Sequence, residues 1–273
     1  MFLILITLIL NQVNASTIIP KDGTYSYKNL NIEINVKNGA AVSARVYDNS
    51  ILLTKKGDGF YGEGQNQDLE QEQDQARNRD QKRTTSVEVN TNDKKSLLVN
   101  VEEKLILPNQ PGNRIYKFEE MGLKLIVENN LISTLYTGIE KNQTNRTELK
   151  LDNNGKIASY SISSISPYTL KVENSQIDFW CEDCAYKIGP TKSSIEIADN
   201  YYLTCSPNTI EIYSSDGIKK IIDTDAGKYI NTSIFFFEGS DLLSSSTQFI
   251  IDEDKVIYKN SSKFITRKSN SKK

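Results

Sequence analysis

Leu30, Ile32, Ile34 and Val36 alternate with Asn31, Glu33 and Asn35, and after Asn38-Gly39 the alternation resumes at Ala40, Val42, Ala44 and Val46. A period of two is the pattern of strands with one buried face. A two-residue Asn-Gly turn would set Val36 against Ala41 and Ile34 against Ser43, sending the two apolar sets to opposite faces. A three-residue loop, Lys37-Asn38-Gly39 with Gly39 left-handed, sets Val36 against Ala40, Ile34 against Val42 and Ile32 against Ala44. The pattern therefore predicts that hairpin.

The pattern stops at Glu63–Arg83, which holds one Leu and one Ala among Gly, Gln, Asn and charged residues. Such a tract buries too little apolar surface to offset the entropy of ordering it, and it predicts a disordered polar loop. The roughly 45 residues before it are too few for an independent core without staples. Their strands must pair with strands beyond Arg83, so the tract is a loop of one folded unit. It ends in Lys82-Arg83, a dibasic pair expected to be exposed to proteases.

Strand patterns resume at Val87/Val89, Leu97–Val101 and Leu105–Leu107, then Ile115–Phe118, Leu123–Val127 and Leu131–Tyr136. A two-residue turn at Asn154-Gly155 would set Leu151 and Leu149 against Ala158 and Tyr160. Further strands are expected at Ile177–Trp180, Ile195–Ile197, Tyr201–Cys205, Ile210–Tyr213, Ile218–Ile222, Ile230–Phe237 and Phe249–Tyr258. Many short strands with frequent turn residues predict an all-β, antiparallel, sandwich-like fold, as one large unit or two packed sandwiches. The Ser-rich stretch Ser161–Tyr168, with Pro167, is the expected boundary between an N-terminal β region, 16–166, and a C-terminal one, 167–259.

Met1–Ala15 reads as a secretory signal: an apolar run Phe2–Leu10, a polar shoulder, then Val13-Asn14-Ala15 at a cleavage site. The run is shorter than the roughly 20 residues of a spanning helix, and no later apolar run reaches that length. Cleavage would leave Ser16 at the N-terminus of a protein secreted or held at a cell surface or wall. Charge is uneven along that chain. No acid follows Asp254, whereas Lys255, Lys259, Lys263, Arg267, Lys268, Lys272 and Lys273 do. This end, with residues 260–273 as a disordered basic tail, is the expected contact with an anionic glycan or acidic neighbour.

The chain has no histidine, which excludes Ser/His/Asp and Cys/His catalysis and every His-ligated metal. It has no Gly-x-Ser-x-Gly, Walker or dinucleotide motif. A Ser/Lys dyad or a carboxylate pair is not marked by any local pattern. Asp223-Thr224-Asp225 opens like a calcium loop, but Gly227 and Ile234 stand where ligands belong. Cys181, Cys184 and Cys205 allow one disulfide and one free thiol in a secreted chain. Cys184–Cys205 is the preferred pairing, on the reading that it joins neighbouring strands, and Cys181–Cys205 is the alternative. Asn142, Asn145, Asn231 and Asn260 are glycosylation sequons, expected on exposed segments.

These features predict no enzyme, no cofactor and no metal. They predict a structural or adhesive component of an extracellular coat, wall or cell surface, attached through its β body, basic end and an unpaired thiol. Its partners would be matrix or wall components, anionic glycans or further copies of itself, and neither nucleic acid nor a membrane span. The alternative is a lectin-like module using Tyr201/Tyr202 or Phe235–Phe237, and a His-independent hydrolase ranks third.

Overall fold

A computed structural model describes residues 18–27, 31–46, 49–65, 82–108, 112–118, 122–137, 145–164, 169–173, 176–181, 184–188, 193–198, 201–214, 218–236 and 241–269. They form strands and turns, with no helix among them. The chain opens with β1 (Gly23–Tyr27), β2 (Ile32–Lys37), β3 (Ala40–Val46), β4 (Asn49–Leu52), β5 (Thr54–Lys56) and β6 (Gly59–Gln65). Two long strands follow, β7 (Lys82–Asp93) and β8 (Ser96–Pro108). Then come β9 (Arg114–Phe118), β10 (Leu123–Glu128), β11 (Leu131–Thr137), β12 (Asn145–Leu151), β13 (Ile157–Ser164), β14 (Thr169–Glu173), β15 (Gln176–Cys181) and β16 (Cys184–Ile188). The last are β17 (Ser193–Ala198), β18 (Tyr201–Cys205), β19 (Thr209–Ser214), β20 (Ile218–Asp225), β21 (Tyr229–Phe236), β22 (Leu242–Ile251) and β23 (Lys255–Lys268).

All described pairings are antiparallel, as the sequence predicts, and they make two sheets. Strands β9 to β16 form one, each paired with the next. The other runs from β17 to β23 and forks there. One edge of β23 pairs with β22 and, at its far end, with β1, while the other edge pairs with β8 along nearly its whole length. From the fork, β1–β4 make one arm and β8–β5 the other.

Two cores result. In the first lobe the two arms fold face to face around Tyr25, Ile32, Ile34, Val87, Val99 and Phe264. Gly62 closes that lobe: a Cβ there would lie 2.3 Å from the Leu52 carbonyl and 2.6 Å from Ile51, so only glycine admits the approach of β4. In the second lobe the β9–β16 sheet packs on β19–β23, around Leu125, Ile132, Leu149, Tyr160, Ile222, Phe249 and Tyr258. Both long strands cross from one core to the other. Strand β8 gives Leu97, Val99 and Val101 to the first and Leu107 to the second, and β23 gives Phe264 to the first and Val256 and Tyr258 to the second.

Four expectations change. The basic C-terminal stretch is not a disordered tail as far as Lys268: it is β23, about 46 Å long at the usual rise. Lys255, Lys259, Lys263 and Arg267 occupy the outward positions of a strand whose inward positions include Val256, Tyr258, Phe264 and Thr266, all buried. Residues 270–273 lie outside the described residues. The boundary near Ser161–Tyr168 is also absent, because β13 and β14 pair across it within one sheet, Tyr160 against Val172. The two cores are instead divided along the length of shared strands.

The hairpin at Asn38-Gly39 does use a two-residue turn, with φ of 52° and 71° at its centre. Val36 faces Ala41, then a one-residue bulge skips Val42, and Ile34 faces Ala44. The bulge restores the common face that a plain two-residue turn would lose. A similar bulge after the Asn154-Gly155 turn sets Leu151 against Ile157 while keeping Leu149 against Tyr160. Finally, the polar tract is shorter than expected. Strand β6 runs to Gln65 and β7 starts at Lys82, so Lys82-Arg83 sits in a strand, and residues 66–81 lie outside the described residues.

Candidate functional site

The outward face of β8 and β23 gathers lysines that are far apart in the sequence. Lys104 stands directly opposite Lys259. Lys82 lies on the same face one row away on β7, opposite Ile106, and Lys255 and Lys263 each lie two rows from Lys259 along β23, in opposite directions. Period two in β23 places Lys255, Lys259, Lys263 and Arg267 together because each is four residues from the next. Glu102 and Glu88 share the face, toward Lys263. Among the described residues, Lys82, Lys104, Lys259 and Lys263 make no ion pair. Lys255 approaches Asp254 at 3.6 Å, and Arg267 donates to both oxygens of Asp241, at 2.6 and 3.3 Å, which raises its pKa. The Lys268 side chain lies across Gly23. Lys272 and Lys273 lie outside the described residues. The basic residues of the C-terminal stretch therefore lie on a sheet face, with Lys104 and Lys82 as neighbours that sequence reasoning missed.

On the inward face of the same strands, a polar waist separates the two cores. Glu103 faces Thr85 on one side and Asn260 on the other. Its carboxylate accepts from Arg83 Nη2 at 2.9 Å, with both side chains largely buried. Thr85 is buried as well.

Beside the waist, in the second lobe, a cavity of about 210 Å³ lies between the two sheets. Leu123, Leu135, Leu149, Ile222, Ile234 and Phe249 make its apolar walls, and Thr137, Thr147, Thr232 and Thr247 supply hydroxyls. Lys220 is the one charged residue in the lining. It points inward because Ile222 and Thr224, both buried, share its face of β20, whereas Lys219 faces outward and pairs with Glu211 at 3.3 Å. Lys220 Nζ donates to the Tyr160 hydroxyl at 3.2 Å and lies 5.9 Å from the same ring's centroid. Thr137 and Thr147 hydrogen-bond to each other through their hydroxyls.

The remaining sequence candidates are scattered. Cys181 and Cys184 stand opposite each other, at the end of β15 and the start of β16. Directly opposed residues have the Cα separation that a disulfide needs. Cys205 is on β18 of the other sheet, so Cys184 and Cys205 are not on neighbouring strands and that ground for pairing them fails. Asn231 and Asn260 are not on exposed segments. Each is half-buried in mid-strand, with Asn231 bonded to Ser233 of its own sequon at 2.9 Å and Asn260 accepting from Thr247 at 3.5 Å. Asn145 begins β12, and Asn142 lies outside the described residues, as does Met1–Ala15. Tyr201 and Tyr202 are in β18, and Phe235 and Phe236 are half-buried in β21. Asp223 and Asp225 belong to β20, and the following turn packs Gly227 against Gly155 of the other sheet. Compared with protein-family models, curated proteins and solved structures, the chain matches none.

Proposed function

We propose that the protein is a non-enzymatic β-scaffold of an extracellular coat, wall or cell surface, attached to an anionic polymer through the outward face of β8 and β23. The observation that carries this reading is Lys104 opposite Lys259, with Lys82 and Lys263 on the same face and, among the described residues, no ion pair to any of the four. Like charges directly opposed on a sheet destabilise the fold by a few tenths of a kcal/mol or more. A polyanion would remove that repulsion on binding, with a strength that falls as salt rises. Secretion is supported by the pattern of Met1–Ala15, and a rigid elongated body by the two strands that run through both cores.

Chromatography on heparin-agarose, a sulfated polyanion, tests the attachment. The protein should be retained at low salt and elute as sodium chloride rises. The triple variant Lys104→Gln, Lys259→Gln, Lys263→Gln should elute at clearly lower salt with an unchanged or higher melting temperature. Equal elution of the two proteins, or no retention of the unmodified chain, would remove this reading.

A further inference from the structure

We infer that the cavity between the two sheets of the second lobe is a binding site for a small alkyl carboxylate, with its chain against Leu135, Leu149, Ile222 and Phe249 and its head group on Lys220. The first ground is the cation. A lysine on a solvated edge would extend its ammonium into water, its stem covering apolar surface. Lys220 instead turns inward, hydrogen-bonds to the hydroxyl of Tyr160, which is 1% exposed, and lies near that ring. An ammonium has three donors. Tyr160 takes one, and among the described residues no carboxylate pairs with Lys220. A half-buried charge without a counter-ion is costly. An anionic ligand would supply the counter-ion, and the Tyr160 hydroxyl is placed to share it.

The second ground is shape and chemistry together. Aliphatic side chains and Phe249 make up half of the lining, and Lys220, Tyr160 and the four threonines supply its polar groups, so the site is amphipathic. At about 210 Å³ it exceeds the ~150 Å³ apolar cavity that takes up benzene. A chain on the order of eight carbons is the matching size on that comparison. A sulfated glycan is too polar for these walls, so this site is separate from the lysine face on β8 and β23. The charge complement favours a carboxylate over an alcohol or an amine of equal length.

Isothermal titration calorimetry of the full chain with octanoate, octanol and octylamine tests the assignment. Octanoate should bind saturably at one site, at least tenfold more tightly than octanol, and octylamine should not bind. Lys220→Met should weaken octanoate at least tenfold and leave octanol unchanged. Lys220→Arg should keep octanoate within about threefold. Ile234→Trp, which fills the cavity from a half-buried position, should abolish both. Equal affinity for octanoate and octanol in the unmodified chain would overturn the proposal. So would octanoate binding that survives both Lys220→Met and Ile234→Trp, or a folded protein that binds none of the three. Sedimentation with phosphatidylglycerol vesicles that depends on Lys220 without octanoate binding would also overturn it, in favour of a lipid surface.

Discussion

The two lobes share β8 and β23, yet they are built differently. The first lobe folds two arms of one sheet onto each other, and its interior mixes large side chains such as Tyr25, Ile34 and Phe264 with short ones, Ala41, Ala44, Val36, Val46, Val87, Val89 and Val99, with Gly62 where the arms meet. The second lobe sets two separate sheets face to face and needs longer side chains to span the gap. Phe118, Phe249 and Tyr258 form a ring cluster there with centroids 5.3–5.4 Å apart. Close approach of the backbones at Gly62 leaves no room there for a side chain. The wider seam of the second is filled by aromatics at one end, and where threonines replace them it retains a cavity. Space for a ligand is thus a consequence of how the sheets meet.

Truncating one fully buried ring in each lobe sharpens this contrast and gives the largest expected effects. Phe264→Ala removes a fully buried ring packed on Tyr27 at 4.7 Å. It should cost about 4–5 kcal/mol, near the top of the range for such truncations. Phe249→Ala removes part of a wall that already borders open space and should cost about 3 kcal/mol. Urea unfolding followed by Trp180 fluorescence and far-UV circular dichroism measures both. Since β8 and β23 belong to each core, either variant should shift one common transition. Two separated transitions would show that the lobes fold independently, and the reverse ranking would show that the first lobe collapses more readily than its packing implies.

The waist is the next test, because it decides whether the lobes are coupled by more than covalent continuity. Arg83 and Glu103 are paired at 2.9 Å between the two cores. Removing one partner of a buried pair strands the other, so Arg83→Met alone should cost about 3 kcal/mol. The double variant Arg83→Met, Glu103→Leu should recover most of that loss, since well-packed apolar replacements are often neutral. A single-variant cost below about 1 kcal/mol would class the pair with surface ion pairs and leave the waist a passive joint.

Strand existence was legible from alternation, and so was the all-β class. The bulges were not, because one extra residue leaves the composition unchanged and shifts only the pairing. At Asn38-Gly39 the conflict between turn and face was visible, but an insertion at Val42 and a longer loop solve it equally well on paper. The end of the chain was misread for a different reason. The inward positions Asn260 and Ser262 belong to the waist and are polar, so the alternation of β23 fades at mid-strand and the charges dominate the reading. The cavity was hidden by Ile218-Lys219-Lys220-Ile221-Ile222, in which each face carries a lysine and an isoleucine. Only the pairing of β20 with its neighbours decides which lysine turns inward. The opposition of Lys104 and Lys259 depends likewise on a long-range register that no local pattern encodes.

The smallest effect concerns acid, and it reaches both lobes through their turns. In the first lobe, Asp22 accepts from the Gly39 amide at 2.9 Å and Asp93 from the Lys95 amide at 2.6 Å. In the second, Asp152 accepts from the Lys156 amide at 2.9 Å and the Asn154 amide at 2.8 Å. Backbone donors favour the ionised form, and they hold all three carboxyls below the ordinary value of 3.8. A carboxyl with a depressed folded pKa gives up its proton more readily in the folded state. Its stabilisation is present above the unfolded value and is lost as pH falls through the folded one. The chain has no histidine to titrate between pH 5 and 8. The melting temperature should therefore be flat from pH 8 to 5 and decline only below about pH 4. Asp22→Asn, Asp93→Asn and Asp152→Asn should each lower the plateau slightly and reduce the acid slope. Because the waist and the long strands tie the lobes together, a turn aspartate in either lobe should move the same single transition. A variant that softens the acid response of one spectroscopic signal and not the other would locate a break between the lobes at low pH.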